Sequence, residues 1–225
     1  MFEIDKVDKY FNERHGNFTA SEIGKLLGNS KSGEMFGATA LGYIRDKAIE
    51  SMTNLWERPE LDEVASLLHG KAHEEPAYEM YKKVTGNYSM RYFGSYDPIY
   101  LSYNEHSGGS PDGLMGEGEK ISLLLEVKCP RNPNVHFDYL GFKSQWDLKE
   151  KNIDYYAQVQ FLLMITKSPM AHWVSYDDRW KDYKLKLKVV EVFPDEKFQN
   201  NLEVRIMQAI KKKQEIINQY SSLTV

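Results

Sequence analysis

The chain has 225 residues, 41% apolar and 28% charged, enough for one sizeable core, so a single α/β domain spanning residues 1–225 is expected. Its lone cysteine, Cys129, excludes an internal disulfide, a zinc ribbon and an iron–sulfur centre, while a net charge of -4 gives no support to a broadly basic nucleic-acid surface. Any phosphate-binding patch must therefore be local. The apolar runs are too short to span a bilayer and the N-terminus MFEIDKVDKYF lacks the basic-then-apolar layout of an export signal, so a soluble, unexported protein is expected.

From Phe18, FTASEIGKLLG predicts a helix capped by Thr19, with Glu22 completing a capping box and Gly28 ending it. Helical spacing returns from Ala38 to Met52 and from Leu61 to Val84, the second stretch interrupted by Pro76, so residues 1–87 are expected to be mostly helical. Between Tyr88 and Lys128, β-branched and aromatic residues alternate with polar ones, and Asp97-Pro98, Pro111-Asp112-Gly113 and Gly116 to Gly118 supply turns, which predicts three or four short strands. Lys143 to Lys151 is polar and reads as an exposed excursion. Residues Asn152 to Thr166 predict a helix, HWVSYD and YKLKLKVVEV strands, and Asp195 to Gln219 a closing amphipathic helix. The expected architecture is a central mixed sheet over 88–193 flanked by helices, with a C-terminal helix over 194–225.

Ser110-Pro111-Asp112-Gly113 by itself reads as a surface turn. LLLEVK, Leu123 to Lys128, reads as a strand buried on both faces that ends in two charges, with Pro130 stopping the ladder. Residues two apart on a strand point the same way, so Glu126 and Lys128 stand about 6 to 7 Å apart along the backbone, with Val127 turned to the other layer. Charges at the end of a buried strand need a reason. Hydrolysis of a phosphodiester supplies one, because two carboxylates on adjacent strands can hold Mg²⁺ and a lysine beside them can position water or stabilise the transition state. On this reading Asp112 and Glu126 are metal ligands, the Val127 carbonyl is a further candidate, and Lys128 is the catalytic cation.

The pattern of Pro-Asp, thirteen residues, then Glu-Val-Lys resembles the PD-(D/E)XK nuclease motif. Further segments narrow the resemblance: Arg14 followed by TASE (Thr19 to Glu22), GKAHEE (Gly70 to Glu75), SPDGL with LEVKCP, and YYAQVQ (Tyr155 to Gln160). In this order they resemble the YqaJ-like viral recombinase family, the lambda exonuclease type. The resemblance implies a restriction-endonuclease-like core and a Mg²⁺-dependent 5′→3′ exonuclease, with Mn²⁺ as a substitute. Such an enzyme resects one strand of linear duplex DNA and leaves a 3′ single strand. It also implies a ring-shaped homotrimer, a single-strand annealing protein as partner, and the cytoplasm of a bacterial host as the setting for a phage or prophage protein.

For individual residues, the resemblance implies that Glu74 belongs to the active site, with Glu75 as its adjacent competitor, and that Gln158 faces the site with Tyr155 supporting it, Gln160 being the rival in the same motif. Arg14, Ser21 and Ser110, which read by themselves as a surface arginine and two hydroxyl caps, would form a pocket with Gln158 for the 5′-terminal phosphate. Guanidinium and hydroxyl donors suit that ligand. Lys31 is a candidate duplex contact, and Leu67 matches a strand-separating wedge, although a leucine at helical spacing is more often core. The chain departs from the family at Ala65 and at Arg131-Asn132-Pro133, where basic contacts are expected. His69 and His73 fit no zinc-protease pattern. Two other functions stay open from residues alone: a structure-specific or restriction-type endonuclease on the same core, and a catalytically inert DNA-end binder.

Overall fold

The computed structural model describes residues 2–54, 65–94, 97–117 and 120–221, with backbone alone at 2–5 and 65–67. Seven α-helices and eight strands are described: α1 Phe2–Arg14, β1 Phe18–Thr19, α2 Ala38–Met52, α3 Ala65–Thr85, β2 Arg91–Tyr92, β3 Leu101–Asn104, β4 Ser107–Gly109, β5 Gly113–Glu117, β6 Lys120–Lys128, α4 Pro133–Leu140, α5 Gln145–Lys151, α6 Ile153–Thr166, β7 Ala171–Tyr176, β8 Leu187–Val192 and α7 Glu196–Ser221. A 3₁₀ segment, Ala20–Leu27, joins β1 to the α2 approach, and a second, Tyr183–Leu185, precedes β8.

The main sheet runs β2-β5-β6-β7-β8, antiparallel except for the parallel pair β6 and β7, whose connection through α4, α5 and α6 supplies the crossover that a parallel pair needs. A smaller sheet, β1-β4-β3, lies on the other side of α6. The central strand β6 is buried from Leu123 to Val127. Leu124 packs with α6, while Leu123, Leu125 and Val127 pack with Tyr78 and Tyr81 of α3. Full burial of such a leucine stabilises the fold by about 1.5–3 kcal/mol. Helix α6 is buried continuously from Tyr156 to Leu163, as expected of a helix covered on all sides.

Several sequence expectations hold: α2, the Asn152-capped α6, β6 and β7 lie where the pattern places them, while of the strand expected over YKLKLKVVEV only Leu187–Val192 forms, Tyr183–Leu185 being a 3₁₀ turn capped by Asp182. Others are corrected. The segment after Thr19 is 3₁₀, and no capping box forms, because Thr19 is extended, pairs with Gly108 and gives its amide to the Tyr43 hydroxyl, while Glu22 turns to Lys25 at 2.5 Å. Pro76 does not interrupt α3, which continues through it to Thr85. Residues 88–128 hold five strands, two of them only two or three residues long, which is why alternation missed part of them. Lys143 to Lys151 is no excursion: Ser144 and Asp147 form a capping box for α5, which buries Gln145 and Leu148. The Leu61 to Val64 part of the expected third helix lies outside the described residues.

Helix α7 ties the N-terminal part to the core. Arg205, buried among apolar neighbours, donates to the carbonyls of Leu26 at 2.8 Å and Met35 at 2.9 Å and to Asn29. Buried Lys213 donates to the Gly16 carbonyl at 3.0 Å, and Glu50 of α2 accepts the Gly16 amide at 2.9 Å. Gly16 turns at a φ of +72°, where a Cβ would strike the Ser51 hydroxyl at 2.5 Å, so glycine is required for the reversal that follows Arg14.

Candidate active site

The register of β5 on β6 pairs Gly113 with Leu125, so the next residue outward, Asp112, stands against Glu126. Opposite residues of an antiparallel pair share a face, which brings the two carboxylates to the same side of the sheet end. Asp112 is pinned at both ends: its amide donates to the Leu125 carbonyl at 3.1 Å and its Oδ2 accepts the Val127 amide at 2.6 Å. The Glu126 side chain is only 2% exposed, and its Oε1 accepts both Lys128 Nζ and Gln158 Nε2 at 2.6 Å. Its second oxygen, Oε2, is buried with no hydrogen-bond partner. A buried carboxylate oxygen in that state demands an explanation, and a cation supplies one.

The electrostatics are those of charges crowded at a dry strand end. Burial and the neighbouring Glu126 push the Asp112 carboxyl well above the usual carboxylate range, with Lys128 and the Val127 amide pulling the other way. Burial likewise raises Glu126 against the pull of Lys128. Burial works against the Lys128 charge, but Glu126 and Asp112 more than offset it, so the ammonium is held above its ordinary value. The Tyr155 ring lies 4.9 Å from Lys128 Nζ, a cation–π contact that backs the lysine from the helix side. Burial, with Glu74 and Asp112, pushes the Cys129 thiol up, which favours its protonated form.

The competing glutamates and glutamines separate cleanly. Glu74 raises the carboxyls of both Asp112 and Glu126 and meets the Tyr92 hydroxyl at 3.5 Å, whereas Glu75 is exposed. Gln160 is consumed by the fold, donating to the Phe193 carbonyl at 2.9 Å and accepting the Asp195 amide at 2.9 Å, which leaves Gln158 for Glu126. Tyr92 is a neighbour that sequence reasoning missed. It pairs with Gly113, stacks on Tyr78 with ring centroids 4.7 Å apart, and has its hydroxyl pushed up by burial, Glu74 and Asp112. No motif announces it, because its position follows from strand pairing.

A second cluster begins two residues before Asp112. Arg14, at the end of α1, donates to Ser110 Oγ at 3.2 Å and to the Tyr10 hydroxyl at 2.9 Å, with the guanidinium over the Tyr10 ring. Ser21 arrives through β1, whose Thr19 pairs with Gly108 and whose hydroxyl lies 3.4 Å from Ser21 Oγ. A Cβ on Gly109 would meet Ala20 at 2.7 Å, so this close approach depends on glycine. The fold therefore gathers Arg14, Ser21 and Ser110 along one short stretch of backbone, while the Gln158 amide is given to Glu126. Lys31 is exposed on the turn closed by Ser30 and Glu34, apart from both clusters. The Leu67 side chain lies outside the described residues.

The donors fit a hard divalent ion. Among the described residues no group of three or more His, Cys, Asp or Glu side chains gathers as a preformed metal site, but Mg²⁺ is typically held by one or two carboxylates and retains waters. His69 and His73 stack 3.9 Å apart, and His73 Nδ1 is engaged by the His69 carbonyl at 2.7 Å.

Comparison with known proteins bears on the whole assembly. The fold matches an alkaline exonuclease, LHK-Exo, from Laribacter hongkongensis with a TM-score of 0.75, 21% identity and 96% of each chain covered. The same protein in complex with dAMP matches with a TM-score of 0.73 at 20% identity, again over 96% of each chain. A phage related exonuclease from Haemophilus somnus 129PT matches with a TM-score of 0.66 and 16% identity, covering 93% of this chain and 98% of that one. No curated protein matches the chain in sequence. The α/β architecture is that of the phage-type exonucleases, with a restriction-endonuclease-like core. Residues 9–169, which contain both clusters, match the model of the YqaJ-like viral recombinase domain, and the chain belongs to that family.

Proposed function

We propose that this protein is a Mg²⁺-dependent exonuclease that removes nucleotides 5′→3′ from one strand of linear duplex DNA and leaves a 3′ single strand. The observation that carries the reading is the unpartnered, buried Glu126 Oε2 beside Asp112, with the other Glu126 oxygen clamped by Lys128 and Gln158.

Asp112, Glu126 and the Val127 carbonyl would hold the ion, with Mn²⁺ as a substitute. When bound, a divalent ion neutralises charge on the phosphoryl oxygens and eases loss of a proton from water. Lys128 keeps its ammonium beside the scissile phosphate and stabilises the negative charge that grows there. Gln158 fixes the Glu126 carboxylate in one orientation, and the Tyr155 ring does the same for Lys128. Glu74 orients the attacking water and takes up its proton, with Tyr92 steadying its carboxylate. Arg14, Ser110 and Ser21 bind the 5′-terminal phosphate, which sets the distance from the strand end to the cut because Ser110 and Asp112 are two residues apart. Lys31 and Leu67 belong to this reading as duplex contact and wedge, and the homotrimeric ring and single-strand annealing partner as its assembly. A ring would retain an acidic protein on DNA by topology.

Digestion of linear duplexes labelled separately at the 5′ and 3′ ends, with Mg²⁺ and with EDTA, tests the reading. Metal-dependent loss of the 5′ label as mononucleotide is expected. Release from the 3′ end, or cutting of covalently closed circles, would replace it with a different nuclease.

A further inference from the structure

The net charge of -4 requires any phosphate-binding surface to be local, and one such stretch lies outside both clusters. Residues Arg179 to Lys188, RWKDYKLKLK, carry five cations and one carboxylate, interleaved with Trp180 and Tyr183. Trp180 lies parallel to Phe137 of α4, with ring centroids 6.0 Å apart and 8° between planes, and both Phe137 (62%) and Tyr183 (54%) are exposed. Trp180, Pro133 and Leu185 line an open groove of about 470 Å³, bordered by Arg179 and Lys181.

Resting on the exonuclease reading, we infer that this groove, together with the exposed Phe137 ring stacked on Trp180 beside it, is a single-stranded DNA platform, on which bases stack against the two rings while Lys181 and its neighbouring lysines follow the phosphates. Aromatic faces with interleaved cations are the chemistry that holds a single strand without sequence preference. Arg179 is paired with the buried Asp177 at 2.7 Å, Asp182 at the groove edge caps the 3₁₀ turn by accepting the Lys184 amide at 2.9 Å, and the half-exposed Asp178 lies 3.7 Å from His73, so the cations left to face a strand are the lysines.

Two connections make the platform rigid and place it beside the catalytic strand. Arg179 donates to the carbonyls of Arg131 at 2.9 Å and Pro130 at 3.2 Å, three and two residues beyond Lys128. His136, buried under Trp180, bonds the Leu185 carbonyl at 2.8 Å and Ser175 Oγ at 2.7 Å, locking the groove wall to β7. A single strand separated at the catalytic end of β6 thus meets this surface directly after LEVKCP.

The test is binding of a short fluorescein-labelled oligothymidylate, followed by anisotropy in EDTA so that hydrolysis is silent, with a closed hairpin duplex as comparison. Trp180→Ala is expected to weaken oligothymidylate binding about tenfold and Phe137→Ala about fivefold, the scale of one lost base stack. Lys181→Gln should lower the slope of log affinity against log salt by about 0.7. Hairpin affinity and Mg²⁺-dependent removal of the first nucleotide should stay unchanged. Unaltered oligothymidylate affinity in Phe137→Ala and Trp180→Ala would overturn the inference, as would an equal loss for the hairpin, which would make this a duplex-backbone contact. If Trp180→Ala does not fold, the exposed Phe137 and Lys181 variants decide alone. Aromatic-dependent binding in a protein that hydrolyses nothing would refute the exonuclease reading and leave the platform standing.

Discussion

The two clusters joined by Ser110-Pro111-Asp112 are built in different ways. The carboxylate centre is made by strand register: Asp112 opposes Glu126 and Lys128 is two residues on, while Gln158, Tyr155, Glu74 and Tyr92 arrive from other elements. The Arg14 pocket is made by long-range packing: α1 meets the end of β4, and the turn that follows α1 at Gly16 is held by Glu50 of α2 and Lys213 of α7. Register is rigid because slipping one residue would turn every side chain of β6 to the wrong face. A pocket assembled from four elements depends on each of them, so damage far from it should reach it more readily than it reaches the catalytic centre.

The largest effect tests the first half of this comparison. Asp112→Ala and Lys128→Ala should each lower the hydrolysis rate by about a thousandfold or more, the loss expected when a charge-stabilising group is removed. Mg²⁺ should raise the melting temperature of the wild type, and that rise should vanish in Asp112→Ala, since an ion bound only to the native state stabilises it by mass action. Near-wild-type rates from either variant would remove the assignment.

Next in size, Arg14→Ala should reduce the preference for 5′-phosphorylated over 5′-hydroxyl ends by about tenfold or more, the scale of a charge-assisted hydrogen bond. Its Mg²⁺-induced rise in melting temperature should be that of the wild type. Loss of the metal response in this variant would break the separation between the clusters.

Lys213→Met sharpens the comparison from a distance. It leaves the Gly16 carbonyl unpaired and should destabilise the protein by about 1–3 kcal/mol in urea unfolding. The end preference should fall a few-fold, with the metal response retained. A variant that loses metal response and end preference together would show that the two sites are one mechanical unit.

The smallest effect is a pH dependence. Asp195 is held below the usual carboxylate range, burial being outweighed by Lys149 at 2.7 Å and the Phe198 amide at 3.1 Å, and it caps the helix that carries Lys213. A depressed folded pKa gives stability that is complete above the unfolded value near 3.9 and is lost as pH falls through the folded value. Asp195→Asn should therefore lower stability by about 1 kcal/mol at neutral pH, and the difference from wild type should shrink to nothing in strong acid. A difference that grows on acidification would give the linkage the wrong sign.

The Asp112, Glu126 and Lys128 set is legible in the sequence because its residues are close together and Glu126 and Lys128 obey a strand's periodicity of two. PD and EVK mark the end of a buried hairpin, but that the carboxylates meet is fixed by the strand register, which shifts at Met115 and Gly116 and cannot be counted from the spacing. The choice of Glu74 over Glu75 is not legible, since both sit on one helix and only the packing of α3 against β6 selects between them. Gln158 and Gln160 pose the same problem on α6, which is buried on every side and so shows no apolar face from which orientation could be read. Tyr92, on a two-residue strand, leaves no pattern.

The α5 helix escapes the sequence pattern for a related reason. QWDLKEK is polar in composition, yet its capping box and the burial of Gln145, whose Oε1 accepts the Phe193 amide at 2.6 Å, make it part of the fold. Short-range chemistry determined by itself the order of the larger elements and the charged end of β6 with its Glu126 and Lys128, because helix and strand periods and turn residues act within a few positions. Tertiary structure alone decided which glutamate and which glutamine face that centre, that Arg14 meets Ser110 across 96 residues, and that Pro133 joins Arg179, Trp180 and Lys181 around one groove, because only packing between distant elements fixes a side chain's neighbours.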